Sequence, residues 1–250
     1  ANVIGIGADN VIKVKSDNKG RIIPEELEKC LIQSLKEGKL PFFVAGTAGT
    51  TMLGAFDFEL IGKIAKKYDC HFHVDGSFGG SLILSKNQHY LFKGLSNADS
   101  FAWNPHKLMN VPLIASVILF NDSGAMKNNL TKLKTDYIFH DNEENCDLGE
   151  SSIQCGKRND ALKVWLTWKY FGDSGYEKRM DHLMNIAEYC KEKVMQENDL
   201  ELMADRNSLT VCFRYNDSDT KDLNRMNLLI REQLRRSGKS MVNYGYIDTN

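Results

Sequence analysis

The sequence predicts an α/β fold organised around a mostly parallel sheet with flanking helices, and three observations predict it. Apolar runs of strand length alternate with helix-length amphipathic segments over the first two-thirds of the chain. Three polar clusters each follow such a run directly: Thr47, Asp75, and Asn104-Pro105-His106-Lys107. A chain of 250 residues, 42% of them hydrophobic, can also bury a sizeable core.

The elements are read in order. Val11–Val14 is a short apolar strand. Pro24 opens a helix at the position where a missing N–H costs nothing, with Glu25 and Glu26 in the favourable first turn. Leu27, Leu31 and Leu35 repeat at helical spacing until Gly38 stops the run. Pro41–Ala45 reads as a buried strand, Gly46–Thr51 as a loop and Leu60–Lys67 as a helix. Phe72–Val74, Ser100–Trp103 and Ile114–Phe120 read as further strands. Strands joined by helices imply right-handed crossovers, and in such sheets ligands bind beyond the carboxyl ends of the strands. The three polar clusters are therefore expected on one edge.

Between Thr135 and Gly156 the pattern breaks into a polar, aperiodic stretch, read as a loop of about residues 135–152. Asp160–Phe171 and Gly175–Gln196 are helical. Leu200–Ala204 and Leu209–Arg214 read as strands, Asp222–Arg236 as a charged helix and Met241–Tyr244 as a further strand. The change of element order divides the chain into residues 1–179 and a smaller α+β unit over 180–250.

Composition excludes several classes of function. Lys and Arg total 32 against 33 Asp and Glu, so a nucleic-acid surface with a clustered positive excess is not expected. No apolar run approaches the roughly 18–20 residues that cross a bilayer, and the first residues do not resemble a signal peptide. The six cysteines form no C-x-x-C pair, which fits reduced thiols in a cytoplasmic protein. The sequons at Asn121, Asn129 and Asn216 are then incidental. His71-x-His73 would share one face of a strand, but no third ligand stands at a recognisable spacing, and no metal is expected. Gly5-x-Gly7 lacks the third glycine of a dinucleotide fingerprint, since Asn10 stands there.

Lys107 by default is a solvated amine. Its place before the apolar stretch 108–118 predicts a partly desolvated pocket, which would favour a Schiff-base nucleophile. Asp75 by default is a turn or cap aspartate. The alternative is a carboxylate partner for a protonated heterocycle. The residues alone leave both pairs of readings open.

The ordered motifs Thr47-Ala48-Gly49-Thr50-Thr51-Met52-Leu53-Gly54-Ala55-Phe56-Asp57, His73-Val74-Asp75 with Gly79-Gly80, Ala98-Asp99-Ser100 and Trp103-Asn104-Pro105-His106-Lys107 resemble the group II amino-acid decarboxylases that use pyridoxal phosphate. Gln154–Asp160 resembles the branch acting on acidic amino acids, and Leu53–Asp57 with Ala102–Leu108 is most similar to members acting on cysteine sulfinate. The resemblance covers essentially the whole chain. It implies a fold-type-I large domain followed by part of the small C-terminal domain.

It also implies roles. Lys107 would carry the cofactor as a Schiff base, and His106 and Asn104 would lie near its phosphate. Asp75 would pair with the pyridine nitrogen, and Thr47 would contact the cofactor from the neighbouring strand end. Tyr137 matches the loop tyrosine that returns a proton after CO2 leaves. The implied substrate is a small acidic amino acid: cysteine sulfinate (giving hypotaurine) first, then aspartate (giving β-alanine) or glutamate (giving GABA). The implied assembly is a homodimer with its active site at the interface. Transamination, oxidative deamination to an aldehyde, or a non-catalytic scaffold are the alternatives. Where the family usually has Asp-Ala-Ala-Trp, this chain has Asp75-Gly76-Ser77-Phe78, which places Ser77 against the ring. A phosphate-binding segment is expected before Ala1 and a substrate-binding arginine beyond Asn250, so the chain is expected to be a fragment.

Overall fold

The computed structural model describes residues 1–130, 152–154 and 156–247. Four strands form one sheet in the order β1-β2-β3-β4: β1 (Phe43–Thr47), β2 (His71–Gly76), β3 (Ser100–Trp103) and β4 (Val117–Phe120). β1, β2 and β3 run parallel and β4 is antiparallel to β3. This is the mixed, mostly parallel sheet that the sequence predicts. Gly46 and Thr47, expected in a loop, complete β1.

Helix α1 (Pro24–Lys36) starts with proline in its first turn and buries Leu27 and Leu31, while Leu35 is exposed. Helix α2 (Glu59–Lys67) buries Ile61 and Ala65. Lys67 of α2 meets Glu28 of α1 at 2.5 Å, and the Tyr68 hydroxyl donates to the same carboxylate at 3.0 Å. Both helices pack on the face of the sheet that presents Val44, Phe72 and Val74, each no more than 6% exposed. Burial of each such side chain stabilises the fold by roughly 1.5–3 kcal/mol.

A short helix α3 (Ala125–Leu130) follows β4, and α4 (Asp160–Gln196) opens with the Asn159 side chain accepting the Leu162 amide. Gly172 breaks α4 with φ 66° and ψ 176°, so the interruption expected between two helices occurs there. That φ lies in the left-handed region, which glycine adopts without a Cβ penalty. Residue 180 lies inside the second segment of α4, whose Tyr176, Met180 and Met184 are buried. Strands β5 (Leu200–Leu202) and β6 (Phe213–Tyr215) form a separate antiparallel pair, with Arg214 and Glu201 paired across it at 2.7 Å. α5 (Leu223–Arg236) starts at Asp222, whose side chain accepts the Arg225 amide, and it buries no residue.

Two expected strands do not form. Residues 11–14 lie in extended chain outside any sheet, with Val11 and Ile12 exposed; the nearest pairing is an isolated bridge between Ser16 and Ile22. Among the described residues, 241–244 likewise pair with no strand, Arg231 donating to the Val242 carbonyl at 3.0 Å, and Met241 and Tyr244 are exposed. In both segments apolar residues occur without a neighbouring strand edge to accept their backbone groups. β6 also begins later than the apolar pattern suggested, at Phe213.

Candidate active site

Parallel strands deliver their carboxyl ends to one edge, and the register fixes which residues meet there. Thr47 stands opposite Asp75, and Gly76 opposite Trp103, so Asn104 begins one residue further on. Strand alternation puts Val44, Phe72 and Val74 in the core, and Ala45, Thr47, His73 and Asp75 on the other face. The chain after β1 folds back at once: the Ala48 amide donates to the Asp75 carbonyl at 2.8 Å, and its carbonyl accepts the Gly79 amide at 3.1 Å. Gly79 is required here, because a Cβ would come within 2.5 Å of the Ala48 oxygen. Gly76 is equally constrained, since a Cβ would run into the Phe101 ring. Glycine therefore stands at 76, where the resemblance gives alanine, for a reason visible in its neighbour.

Asp75 is the electrostatic centre of the edge. Burial works to raise its carboxyl, but the Ser77 hydroxyl and amide, the His73 imidazole and the Lys107 charge hold it below the usual carboxylate range. The Ser77 amide donates to its Oδ1 at 2.9 Å. The opposite effect governs His73, whose imidazole burial pushes down; Asp75 opposes this and His71 adds to it. A carboxylate held below its usual range thus sits where the strand ends open to solvent.

Lys107 follows β3 on a turn with a defined backbone. Its amide donates to Asn104 O at 3.0 Å and its carbonyl accepts the Asn110 amide at 3.1 Å. Among the described residues the expected desolvated pocket is not formed: Lys107 is exposed, while the apolar neighbours that suggested the pocket, Leu108 and Met109, point into the core. The turn separates the amine from the apolar residues next to it in sequence. His106 is half-buried, and its Nδ1 receives the Ala115 amide at 3.2 Å and lies 2.5 Å from the Ala115 carbonyl. Asn104, also half-buried, supplies the carbonyl that closes the turn.

Thr47, Asp75, Ser77 and Lys107 are thus brought to one edge, with Asn104 and His106 in the same turn as the lysine. Tyr137 and most of the loop 135–152 lie outside the described residues, as does Cys155 of the Gln154–Asp160 motif. His71 and His73 both reach the Ser100 hydroxyl, at 2.7 and 2.8 Å, and Phe43 stacks on both rings. Sequence reasoning missed that shared serine, although the register of β2 with β3 accounts for it. It also missed Arg179, whose Nε donates to the Leu108 carbonyl at 2.7 Å. No sequence signal joins residues 71 positions apart.

An exposed amine, an ionised carboxylate within its field and a threonine hydroxyl make a donor set suited to a cationic heteroaromatic ring bearing an aldehyde. Lys107 would hold such a group through its amine, and Asp75 would pair with its ring nitrogen. Comparison with known proteins agrees. The family described as pyridoxal-dependent decarboxylase conserved domain matches residues 1–216. Cysteine sulfinic acid decarboxylase of Mus musculus is 34% identical, over 98% of this chain and 52% of the relative. Glutamate decarboxylase of Drosophila melanogaster is 35% identical, over 98% of this chain and 51% of the relative. The crystal structure of mouse CSAD superposes with a TM-score of 0.88 at 35% identity, covering 98% of this chain and 53% of that one. The chain therefore spans about half the length of the curated relatives it matches.

Proposed function

Because this chain belongs to the pyridoxal-dependent decarboxylase family, we propose that it forms the cofactor-bearing part of an enzyme that removes the α-carboxyl group of a small acidic amino acid. Cysteine sulfinate is the first candidate substrate, then aspartate and glutamate. The observation that carries the reading is the exposed Lys107 on a pinned turn, beside an Asp75 held ionised at the same sheet edge.

The cofactor of the family is pyridoxal phosphate. Lys107 would hold it through its amine, Asp75 would pair with its ring nitrogen, and Thr47 and Ser77 would lie beside the ring. Asn104 and His106 would serve the phosphate end, with the His106 ring fixed by Ala115. Bound there, the cofactor supplies an electron sink for the pair released as CO2 leaves. Asp75 contributes by retaining a proton at the ring nitrogen, which a carboxylate below its ordinary range does as an anion at neutral pH. Tyr137 is proposed to return a proton to the α-carbon, on the strength of the Thr135-Asp136-Tyr137 resemblance. Lys107 would also serve product release, holding the cofactor again once the amine has left.

The proposal extends to assembly and location. A homodimer is supported by Leu162, Trp165, Leu166 and Tyr170, which line one face of α4 and are all exposed. A cytoplasmic location is supported by the free thiols of Cys30, Cys70, Cys190 and Cys212. Among the described residues no helix is long and apolar enough to cross a membrane. The separate β5–β6 pair supports a smaller C-terminal unit in the proposed division into 1–179 and 180–250, although Met180 and Met184 pack in the main core.

The test is release of labelled CO2 by the purified holoenzyme from cysteine sulfinate, aspartate, glutamate and an aromatic amino acid. The acidic substrates should be turned over and the aromatic one refused. Preference for the aromatic amino acid would overturn the substrate class.

A further inference from the structure

The turn that carries Lys107 has two kinds of restraint. Those within it fix its shape: Lys107 N to Asn104 O at 3.0 Å, Asn110 N to Lys107 O at 3.1 Å and Val111 N to Pro105 O at 3.3 Å. None of these fixes where the turn sits relative to the rest of the molecule, and the His106 ring, which contacts Ala115, ties only the part that precedes the lysine. Burial of Leu108 and Met109 does so in part, but apolar packing is non-directional and leaves rotation about the buried side chains open. A hydrogen bond restricts direction as well as distance. Among the described residues, the side chain from another element that bonds the Lys107–Leu108 backbone is Arg179, with Nε 2.7 Å from the Leu108 carbonyl.

Arg179 is itself well placed to act as a fixed point. It follows the Gly172 break on the second segment of α4, between the buried Tyr176 and Met180. Tyr176 packs in one cluster with Met109, Val111 and Ala115, and Met180 belongs to the main core together with Leu108. The helix that presents the guanidinium is therefore anchored on both sides of the turn it holds. Lys107 itself is exposed.

We propose that Arg179 is a positioning residue for Lys107: by holding the Leu108 carbonyl it sets the direction from which the amine approaches the cofactor's aldehyde. The inference rests on the reading of Lys107 as the covalent anchor. Arg179 touches neither substrate nor cofactor; it acts through the peptide that follows the lysine. On this proposal misdirection of the amine slows its reactions and leaves substrate binding largely unchanged, because the guanidinium is engaged with the Leu108 carbonyl.

The test compares wild-type holoenzyme with Arg179→Met and Arg179→Lys. Each apoenzyme is mixed with saturating pyridoxal phosphate, and the rise of visible absorbance gives the rate at which Lys107 reacts. Arg179→Met should react about tenfold to a hundredfold more slowly, the scale of a small misplacement, with kcat lowered by a similar factor and KM within about twofold. Arg179→Lys, which keeps a cationic donor, should recover most of the rate. A wild-type rate in Arg179→Met, a loss confined to KM, or no recovery in Arg179→Lys would each overturn the proposal. Should Arg179→Met fail to fold, Arg179→Gln decides by the same reaction: its shorter donor should be slow, and a wild-type rate overturns the idea. A wild-type enzyme with no borohydride-fixed adduct on Lys107 instead overturns the functional reading itself.

Discussion

The parallel sheet and the C-terminal unit of β5, β6 and α5 are held by different forces. In the sheet, Val44, Phe72 and Val74 interleave with helices α1 and α2, and the register of three strands fixes every neighbour across the edge. The C-terminal unit buries no residue of α5, and Leu229 on that helix is exposed. Apart from Leu209, which packs against the main core, its contacts with the first region are discrete polar ones. Asn207 donates to the carbonyls of Lys19 and Leu53 at 3.1 and 3.0 Å, and Ser208 to that of Gly54 at 2.8 Å. Asn227 bonds both backbone groups of Tyr215. A continuous apolar layer holds its outer edge to a fixed geometry, whereas a few hydrogen bonds hold a position but not a surface. Chemistry that needs aligned groups is therefore placed on the first region.

The largest effect that sharpens this contrast falls at the sheet edge. Asp75→Asn should leave the cofactor bound but lower turnover by roughly a hundredfold to a thousandfold, the scale of losing one preorganised electrostatic partner. Cofactor occupancy and CO2 release, measured on the same preparation, decide it, and an unchanged rate would remove Asp75 from the reaction.

Stability should separate the regions next. Gly76→Ala forces a Cβ into the Phe101 ring and should cost about 1–3 kcal/mol in urea unfolding, partly recovered by adding Phe101→Leu. Ser208→Ala removes one buried hydrogen bond to Gly54 and should cost about 1 kcal/mol. If the serine change proves the costlier of the two, the polar contacts matter more than the apolar layer and the contrast fails.

The smallest expected effect concerns pH. Burial lowers the His73 imidazole, so the folded protein resists a proton that the unfolded chain accepts. Its contribution to stability is complete above the ordinary histidine range and is lost as pH falls from there toward the folded value. His73→Asn should accordingly flatten the decline in urea midpoint between neutral and mildly acid pH. A steeper decline in the variant would reverse the sign of this account.

Much of the edge was legible in the sequence because it depends on local rules. A proline at a helix start, apolar runs of strand length and polar residues straight after them placed α1, β1, β2 and β3, and hence Thr47, Asp75 and Lys107 on one side. The reading failed where a partner decides. Val11–Val14 has the composition of a strand but no edge to join. Lys107 lies beside apolar residues in sequence, yet the turn sends Leu108 and Met109 inward and the lysine outward. Arg179 depends on a helix that crosses behind the turn, and a pattern of residue types does not encode that crossing.

The proposed chemistry turns on one bond, between the cofactor and Lys107. Borohydride reduction of the holoenzyme, followed by proteolysis and mass spectrometry, locates it directly. The predicted result is a single reduced pyridoxyl group on the peptide containing Trp103-Asn104-Pro105-His106-Lys107. A label on any other lysine, or none, would contradict it.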